Sequence, residues 1–403
     1  MVSTAQLCIY CKGGRNLCGL GKCPLLDKVR MEQKIKEIPE DGFFGPSPSI
    51  FVGRIGYPNI FVGPLGDMGS NLGENPSGWF GKDYEEIIEK RSFVLRSKYK
   101  QNIFSKSRFV EENQLLAMAR RPTDVELDFK NKPVYRLSFS DMVRPMGPSV
   151  SINKMTIAEN VKVPVKIEKI VSDEIKANDS TVMLYKKNVD VYKLSTILSS
   201  GALGLDRNRK MVPTRWSITA IDDLIAKNLM KTVRTFPSVN EYRVYESEFL
   251  NNRFVILLMP GSWEFENFEA WKPGSFWSFN LKRTEIVEEH EPFRGRTKYA
   301  DKQAGGYYAA RLGVVEGLQA MKRQARVVSF REVYEGYVVP VGVWQVRENV
   351  RNAMKSGCQK FATQKEALDY IKPRLKIPLE EYTRNSVLLK QKRLGDFVTS
   401  KSL

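Results

Sequence analysis

The amino-acid sequence predicts an α+β fold in which helices and short strands follow one another irregularly. Helical periodicity and strand-like runs occur in both halves, without the regular alternation of a parallel α/β sheet. A hairpin pattern in the second half adds an antiparallel pair, from Tyr242 to Phe249, then Asn251-Asn252, then Phe254 to Met259. No internal repeat longer than a short phrase and no low-complexity linker is present, so any domain boundary is soft.

The first half begins with a helical pattern from Pro24 to about Glu37 and continues with a Pro/Gly-rich run, Asp41 to Gly73. Two similar phrases within that run, Ile-Phe-Val-Gly at Ile50 and again at Ile60, predict two short buried strands. Their glycines form no phosphate-binding fingerprint, so turns and close strand packing are the expected role. Periodicity predicts four further elements: helices from Asp83 to about Tyr99 and near Val110 to Arg120, and strands around Val125 to Phe129 and Val161 to Ile167.

The second half contains helical patterns on both sides of the hairpin. They run from Val191 to Ser200, Thr219 to Val233, Gly306 to Gln324 and Val343 to Lys355. The segment from Arg326 to Tyr334, which is enriched in valine and aromatic residues, predicts one more strand.

Composition describes a large globular protein with an excess of positive charge. The 403 residues suffice for two or more cores, and 42% of them are hydrophobic, which is ordinary for a globular chain. No run approaches the roughly 18 consecutive apolar residues of a membrane-spanning helix, and Met1 to Tyr10 lack a secretion signal. We therefore expect a cytoplasmic protein that does not contact a membrane.

The formal net charge is +18, from 64 basic and 46 acidic residues. Such a charge attracts polyanions, and nucleic acid is the first candidate. The alternative is that surplus lysine and arginine only solvate surface helices.

Four of the five cysteines lie close together near the N-terminus, at Cys8, Cys11, Cys18 and Cys23. Two short cysteine pairs around a glycine-rich loop match the spacing of a tetrahedral site in which four thiolates bind one Zn²⁺ ion. Since no ligand position is left open, the zinc is expected to be structural and to stabilise a small module. An iron–sulfur cluster and two disulfides are the alternatives. The fifth cysteine, Cys358, is expected to be an ordinary core or free thiol.

The C-terminus is a basic tail with regularly spaced apolar residues. In one helical turn, Leu394 and Phe397 would form an apolar plug while Gln391 offers its side-chain amide. This spacing resembles the peptide box that binds the sliding clamp (PCNA), although Val398 stands where the box usually has a second aromatic residue. The alternative is a final amphipathic turn that packs on the protein's own core.

The segment Thr214 to Asp223 is the best candidate for a catalytic or nucleotide-binding site. Arg215, Asp222 and Asp223 combine a cation with adjacent acids that could bind a nucleotide or a divalent metal ion. Adjacent carboxylates on a helix point about 100° apart, so a metal ion would need ligands from elsewhere. The structural alternative is a helix start, with Thr219 and Asp222 as a capping box.

His290, the only histidine, lies among glutamates and is a weaker catalytic candidate, as a general base. A solvated charged turn is the expected alternative, because one histidine cannot form a zinc site of the HExxH type. Nearby aromatic residues could stack on unpaired bases or pack in the core: Trp263, Phe265, Phe268, Trp271, Phe276, Trp277 and Phe279.

The whole sequence resembles the archaeal Nre family, which is linked to DNA repair. The phrases that carry this resemblance span nearly all of the chain: Cys8 to Pro24, Ser49 to Pro58, Arg144 to Pro148, Pro213 to Asp223, Gly295 to Thr297 with Gly305 to Arg311, and the terminal box. Membership implies an N-terminal zinc finger and recruitment by the sliding clamp. It does not imply a particular chemistry for the body.

These observations lead us to expect a DNA repair and DNA damage response protein that binds DNA and is recruited by the clamp. Its expected parts are a zinc-binding module and helix (1–38), an α+β body (39–385) with a soft boundary near residue 205, and a flexible tail (386–403). A DNA-modifying enzyme, either a metal-dependent nuclease or a transferase with a nucleotide cofactor, is the alternative. An RNA-binding translation factor ranks third.

Overall fold

The structure, a computed structural model, describes residues 40–69, 76–134, 147–273, 275, 283–335, 337 and 340–391. The chain divides into two compact units, Met1–Asn228 with Val339–Trp344 and Leu229–Val338 with Gln345–Leu403. Each unit contains a six-stranded sheet together with helices, in irregular order. The predicted α+β class is therefore confirmed. The division after Asn228 lies inside a long helix, whereas the sequence placed a soft boundary near residue 205.

The sheet of the first unit consists of β1 (Gly42–Ser47), β2 (Ser49–Val52), β3 (Asn59–Asp67), β4 (Val94–Asn102), β5 (Thr123–Phe129) and β6 (Ser149–Ile157). The strand order is β1-β5-β6-β4-β3-β2, and only β4 and β6 are parallel neighbours. The two Ile-Phe-Val-Gly phrases form β2 and β3, which pair antiparallel. Because their side chains alternate between faces, Ile50, Val52, Ile60 and Val62 all enter the core.

The glycines of these phrases allow close packing, as the sequence predicted. A Cβ atom on Gly63 would lie 2.5 Å from Ser97 Oγ, and one on Gly66 would lie 2.7 Å from the Phe43 ring. Gly56, in the turn between β2 and β3, has a φ of +82° that favours glycine. These glycines therefore have a structural role.

The helices of the first unit are α1 (Tyr84–Ser92), α2 (Arg108–Met118), α3 (Val165–Ser172), α4 (Ala177–Lys186), α5 (Val191–Ser200) and α6 (Thr214–Val233), with 3-10 turns at Pro76–Trp79 and Asp206–Asn208. Helix α6 continues into the second unit. Val110, Leu116 and Ala117 of α2 complete the core that the sheet begins.

The sheet of the second unit consists of β7 (Tyr242–Phe249), β8 (Asn252–Met259), β9 (Glu264–Trp271), β10 (Glu285–Glu291), β11 (Arg326–Val333) and β12 (Gln359–Phe361). Its order is β10-β9-β11-β8-β7-β12, with β9 and β11 parallel. The helices are α7 (Gly305–Met321), α8 (Val343–Lys355), α9 (Gln364–Ile371) and α10 (Leu379–Thr383), with a 3-10 turn at Lys372–Arg374.

Strand β11 lies at the centre of this unit, and every one of its residues is buried. On one face, Val328 and Phe330 pack against the C-terminal segment, including Ile377 and Tyr382. On the other face, Tyr307 of α7 contacts the neighbouring strand β9 at Phe265. Both faces of β11 are buried although four of its eight residues are polar or charged, namely Arg326, Ser329, Arg331 and Glu332. Buried charges of this kind need partners inside the unit.

Two sequence predictions in the first unit are wrong. The expected helix from Asp83 to Tyr99 ends at Ser92, and the chain continues as strand β4. The expected strand Val161 to Ile167 is irregular up to Pro164, and α3 begins at Val165. No helix within the described ranges is long and apolar enough to cross a membrane.

Candidate nucleic-acid interface and tail anchor

The candidate segment Thr214 to Asp223 forms the start of α6. The helix begins at Thr214, five residues earlier than the sequence predicted, so Thr219 and Asp222 lie within it and do not form its capping box. The Thr214 hydroxyl accepts a hydrogen bond from the backbone N–H of Val52 at 3.0 Å. This bond fixes the start of α6 to the edge strand β2.

The two candidate acids occupy different surroundings on α6. Asp222 is fully buried, whereas Asp223 forms an ion pair with Lys227 at 2.7 Å on the helix surface. Within the part of the chain that the structure describes, no group of three or more His, Cys, Asp or Glu side chains is placed to hold a metal ion.

Arg215 and Trp216 are exposed at the start of α6. Trp216 contacts Tyr57, in the turn between β2 and β3, with ring centroids 5.3 Å apart and ring planes 52° from parallel. Arg54 and Ile55 precede Tyr57 in the same turn and are also exposed. A tilted aromatic pair beside an exposed aliphatic residue and two arginines is an arrangement that can accommodate a base and its phosphate.

Two further segments join this group through backbone hydrogen bonds. The N–H of Ile103 donates to Pro58 O at 3.0 Å, which connects the loop after β4 to the β2–β3 turn. The N–H of Met211 donates to Ile103 O at 2.9 Å, which connects the segment before α6 to the same loop. We call the resulting patch the hairpin surface, and it comprises Arg54, Ile55, Tyr57, Phe104, Lys106, Lys210, Arg215 and Trp216.

The hairpin surface is positively charged. Among the described residues, no acidic partner lies within ion-pair distance of Arg54, Lys210 or Arg215. Lys106 pairs with Asp206 at 2.6 Å, so one cation of the patch is already neutralised. The remaining cations are available to phosphate groups.

The sequence identified only part of this surface. Arg215 was a candidate, but Ile55, Tyr57 and Phe104 were not, because nothing local indicates that the three segments meet. One signal for these residues was present in the sequence. Ile55 and Tyr57 lie in a Pro/Gly-rich turn, outside any strand pattern, and large apolar residues in a turn are often exposed for binding.

The aromatic group that the sequence offered for base stacking lies instead in the core, where the structure describes it. Trp263, Phe265 and Phe268 are fully buried, and Trp263 stacks on Phe265 with centroids 5.9 Å apart. This part of the stacking hypothesis is therefore wrong. Trp271 is half-buried at the end of β9, and Phe276, Trp277 and Phe279 lie outside the described residues.

His290 lies on strand β10 and not in a solvated turn. Its register partner is Glu266 of β9, and its Nε2 atom is 3.9 Å from Glu264 Oε1. Burial, followed by the negative charge of Glu266, raises the pKa of the neighbouring Glu288 to about 7. Three glutamates, Glu264, Glu266 and Glu288, therefore lie on β9 and β10 with the single histidine, at the edge of the second sheet.

The neighbouring strands β9 and β11 anchor the segment that leads to the terminal box. The buried carboxylate of Glu266 accepts hydrogen bonds from Ser386 Oγ and from the backbone N–H groups of Val387 and Leu388. Arg326, also buried, donates from Nη2 to Leu388 O at 3.2 Å and to Gln391 Oε1 at 2.7 Å. Residues 386–391 are therefore held against the body, although the sequence places them in the tail.

The remaining predicted site residues lie outside the described residues. These are the zinc candidates Cys8, Cys11, Cys18 and Cys23, and the clamp-binding candidates Leu394, Phe397 and Val398. Cys358 is a half-buried free thiol just after α8.

Comparison with known proteins gives matches over almost the entire chain. The models for "Archaeal Nre, N-terminal" and "Archaeal Nre, C-terminal" match residues 17–278 and 291–397. The chain is 37% identical to "DNA repair protein NreA" of Archaeoglobus fulgidus over 366 residues, covering 90% of this chain and 92% of that protein.

Two further relatives have similar coverage. The chain is 33% identical to "DNA repair protein NreB" of the same organism, covering 96% of this chain and 97% of the relative. It is 36% identical to "DNA repair protein NreA" of Haloferax volcanii, covering 85% of each chain. No solved structure matches.

Proposed function

The chain belongs to the archaeal Nre family, and from this membership we propose that it is a cytoplasmic DNA repair protein that binds DNA and is recruited by the sliding clamp. The observation that carries the repair role is its similarity, over at least 85% of its length, to three proteins named for DNA repair. The net charge of +18 and the cationic hairpin surface support direct contact with DNA.

Recruitment by the clamp is supported by the position of Gln391. The anchor formed by Glu266 and Arg326 ends at this residue, where the box begins, so the body holds the first residue of the box. Docking on the clamp would transfer the Gln391 amide oxygen from Arg326 to a donor on the clamp. Because such tethering raises the local concentration of the body near clamp-encircled DNA, weak non-specific DNA contacts become sufficient.

A structural zinc ion bound by the four N-terminal cysteines is the cofactor that we propose. The full chain should contain about one zinc per molecule by elemental analysis, and Cys8→Ser with Cys11→Ser should lose it because a closed site needs all four thiolates. Cys358→Ser is the matched control and should retain the metal. Iron and visible absorbance in the purified chain would instead favour an iron–sulfur cluster.

The enzymatic alternative has less support from the described residues. Asp222 is buried and Asp223 is engaged by Lys227, so α6 does not present two carboxylates to one substrate. An enzyme would change DNA chemically and lose that activity when both aspartates become asparagine, whereas a DNA-binding repair factor would leave the DNA intact.

Survival after DNA damage tests the proposal as a whole. Cells without the gene should be more sensitive to DNA-damaging agents than wild-type cells, and the full chain should restore survival. A chain that ends after Gln391 keeps the anchor and should restore survival only partly, since it lacks the box. Wild-type survival of the deletion strain across a panel of agents with different lesions would contradict the repair role.

A further inference from the structure

We propose that the hairpin surface binds unpaired bases of single-stranded DNA. The inference rests on the proposed DNA-binding function and names the form of DNA and the residues that contact it. The relevant residues belong to the first unit, and they come from three separate segments: the β2–β3 turn, the loop after β4 and the start of α6.

The exposed apolar groups of this surface are the first argument. Tyr57 is 45% exposed, Trp216 44%, Phe104 59% and Ile55 82%. Single exposed side chains of this size are ordinary on a protein surface, whereas several of them together mark an interaction site. Because the Tyr57 and Trp216 rings are inclined by 52° and do not lie flat on each other, part of each ring remains open to a base.

Rigid support is the second argument. The Thr214 hydroxyl binds Val52 N–H on one side and lies 3.2 Å from the Ser199 hydroxyl of α5 on the other, which fixes the start of α6. The turn is held by the bond from Ile103 N–H to Pro58 O and by an Asn102–Asn59 side-chain hydrogen bond at 3.0 Å. A platform that is ordered before the ligand arrives loses little conformational entropy on binding.

Charge is the third argument and identifies the occupant as a polyanion. Arg54, Lys210 and Arg215 are exposed on the same segments as the aromatic pair, and the acid Asp206 is paired with Lys106. A neutral or basic protein partner would leave these cations unmatched, whereas a phosphate backbone matches them.

Aromatic side chains discriminate between single strands and duplexes. In a duplex the flat faces of the bases are stacked on one another, so exposed rings have little to contact except at ends or distortions. In a single strand every base has a free face, and stacking on a protein ring contributes affinity without sequence preference. The open rings, together with cations that have no acidic partner among the described residues, therefore favour unpaired DNA.

The experiment compares intact protein with two double variants, using fluorescence anisotropy of a labelled oligothymidylate and of a duplex of equal length. Tyr57→Ala with Trp216→Ala should weaken binding to the single strand by about tenfold or more, with a smaller effect on the duplex. Phe44→Ala is the control, because Phe44 is 69% exposed on β1 in the same unit. Circular dichroism checks that each variant remains folded.

The salt dependence of binding tests the cations. Arg54→Ala with Arg215→Ala should reduce the slope of log K against log salt by about 1 to 2 for the single strand, because each cation releases about one counterion. Lys130→Ala with Lys154→Ala removes the same charge from exposed positions on the loop after β5 and on β6, and should leave the slope unchanged.

The outcomes separate this inference from the proposed function. If intact protein binds DNA but the Tyr57 and Trp216 double variant binds the single strand equally well, the inference is wrong and DNA binding stands. If intact protein binds neither single strand nor duplex, DNA binding itself is wrong. Tighter binding of an oligouridylate than of the DNA strand would overturn the assignment to DNA.

Discussion

Replacing Arg311 with methionine is expected to lower the free energy of unfolding of the second unit by about 3–5 kcal/mol. Arg311 on α7 and Glu291 on β10 are both fully buried and form an ion pair at 2.5 Å. Without the guanidinium, the hydrogen-bond donors that remain to the Glu291 carboxylate among the described residues are neutral, Tyr307 OH at 3.1 Å and Trp263 Nε1 at 3.4 Å. Arg234 still interacts electrostatically with Glu291, but within the described part of the chain no hydrogen-bonded cation then offsets the burial of the carboxylate.

The same interaction affects Tyr307. Burial, and then the negative charge of Glu291, raise the pKa of the Tyr307 hydroxyl well above its ordinary value, so Tyr307 remains a neutral donor. The loss in Arg311→Met should therefore reflect the carboxylate and not a change in the state of the tyrosine.

Urea unfolding followed by tryptophan fluorescence measures the effect. The double variant Glu291→Gln with Arg311→Met should recover at least half of the loss, because it removes both charges from the core. Lys372→Met is the control: it breaks the exposed pair with Glu380 in the same unit and should cost about 0–1 kcal/mol. Equal losses for Arg311→Met and Lys372→Met would contradict the prediction.

Elements with local start and stop residues could be predicted from the sequence. Helix α5 has the predicted bounds, Val191–Ser200, because Asp190 accepts hydrogen bonds from the N–H groups of Tyr192 and Lys193 at its start. Gly201, at a φ of 79°, ends it. Both effects involve neighbours in the sequence.

Elements that depend on distant partners could not be predicted in this way. Val94–Asn102 continues a helical pattern in the sequence, but it pairs with β3 on one side and β6 on the other, and this pairing determines its structure. The hairpin turn is displaced by one residue for a similar reason. Leu250 and Asn251 have positive φ values, and Asn252 enters β8, where its buried side chain accepts bonds from Arg331.

The candidate site shows the same division between local and distant effects. Arg215 was identifiable because its segment mixes charge and aromatic character locally. Its association with Tyr57 required the fold, since the bond between Thr214 and Val52 and the contact of Trp216 with Tyr57 join residues that are distant in the sequence. The anchor at Glu266 and Arg326 was missed because buried charges in strands look like surface charges in a sequence.

Replacing Leu394 and Phe397 with alanine is expected to weaken binding to the cognate sliding clamp by about 100-fold or more. Each side chain would bury its apolar surface in the clamp, and each contributes about 1.5–3 kcal/mol. Isothermal titration calorimetry of the intact protein and the double variant measures the difference. Val387→Ala, which shortens a 45% exposed side chain just before the box, is the control and should bind normally.

A chain that ends after Gln391 separates the box from the anchor. It retains the contacts of Glu266 and Arg326 with residues 386–391, so the body keeps its stability while the apolar residues are absent. This chain should bind the clamp as weakly as the double variant. Unchanged affinity in either variant would contradict the assignment of the box.

Gln391→Ala should have a smaller effect than the loss of the two apolar residues, about tenfold or less. In the free protein Gln391 Oε1 already accepts a hydrogen bond from Arg326, so binding exchanges one hydrogen bond for another. The apolar side chains gain by leaving water, which the amide does not. The expected order of affinities is therefore intact protein, then Gln391→Ala, then the Leu394 and Phe397 double variant, and calorimetry under one set of conditions can measure all three. A loss in Gln391→Ala as large as that of the double variant would mean that the amide, and not the apolar pair, dominates clamp binding.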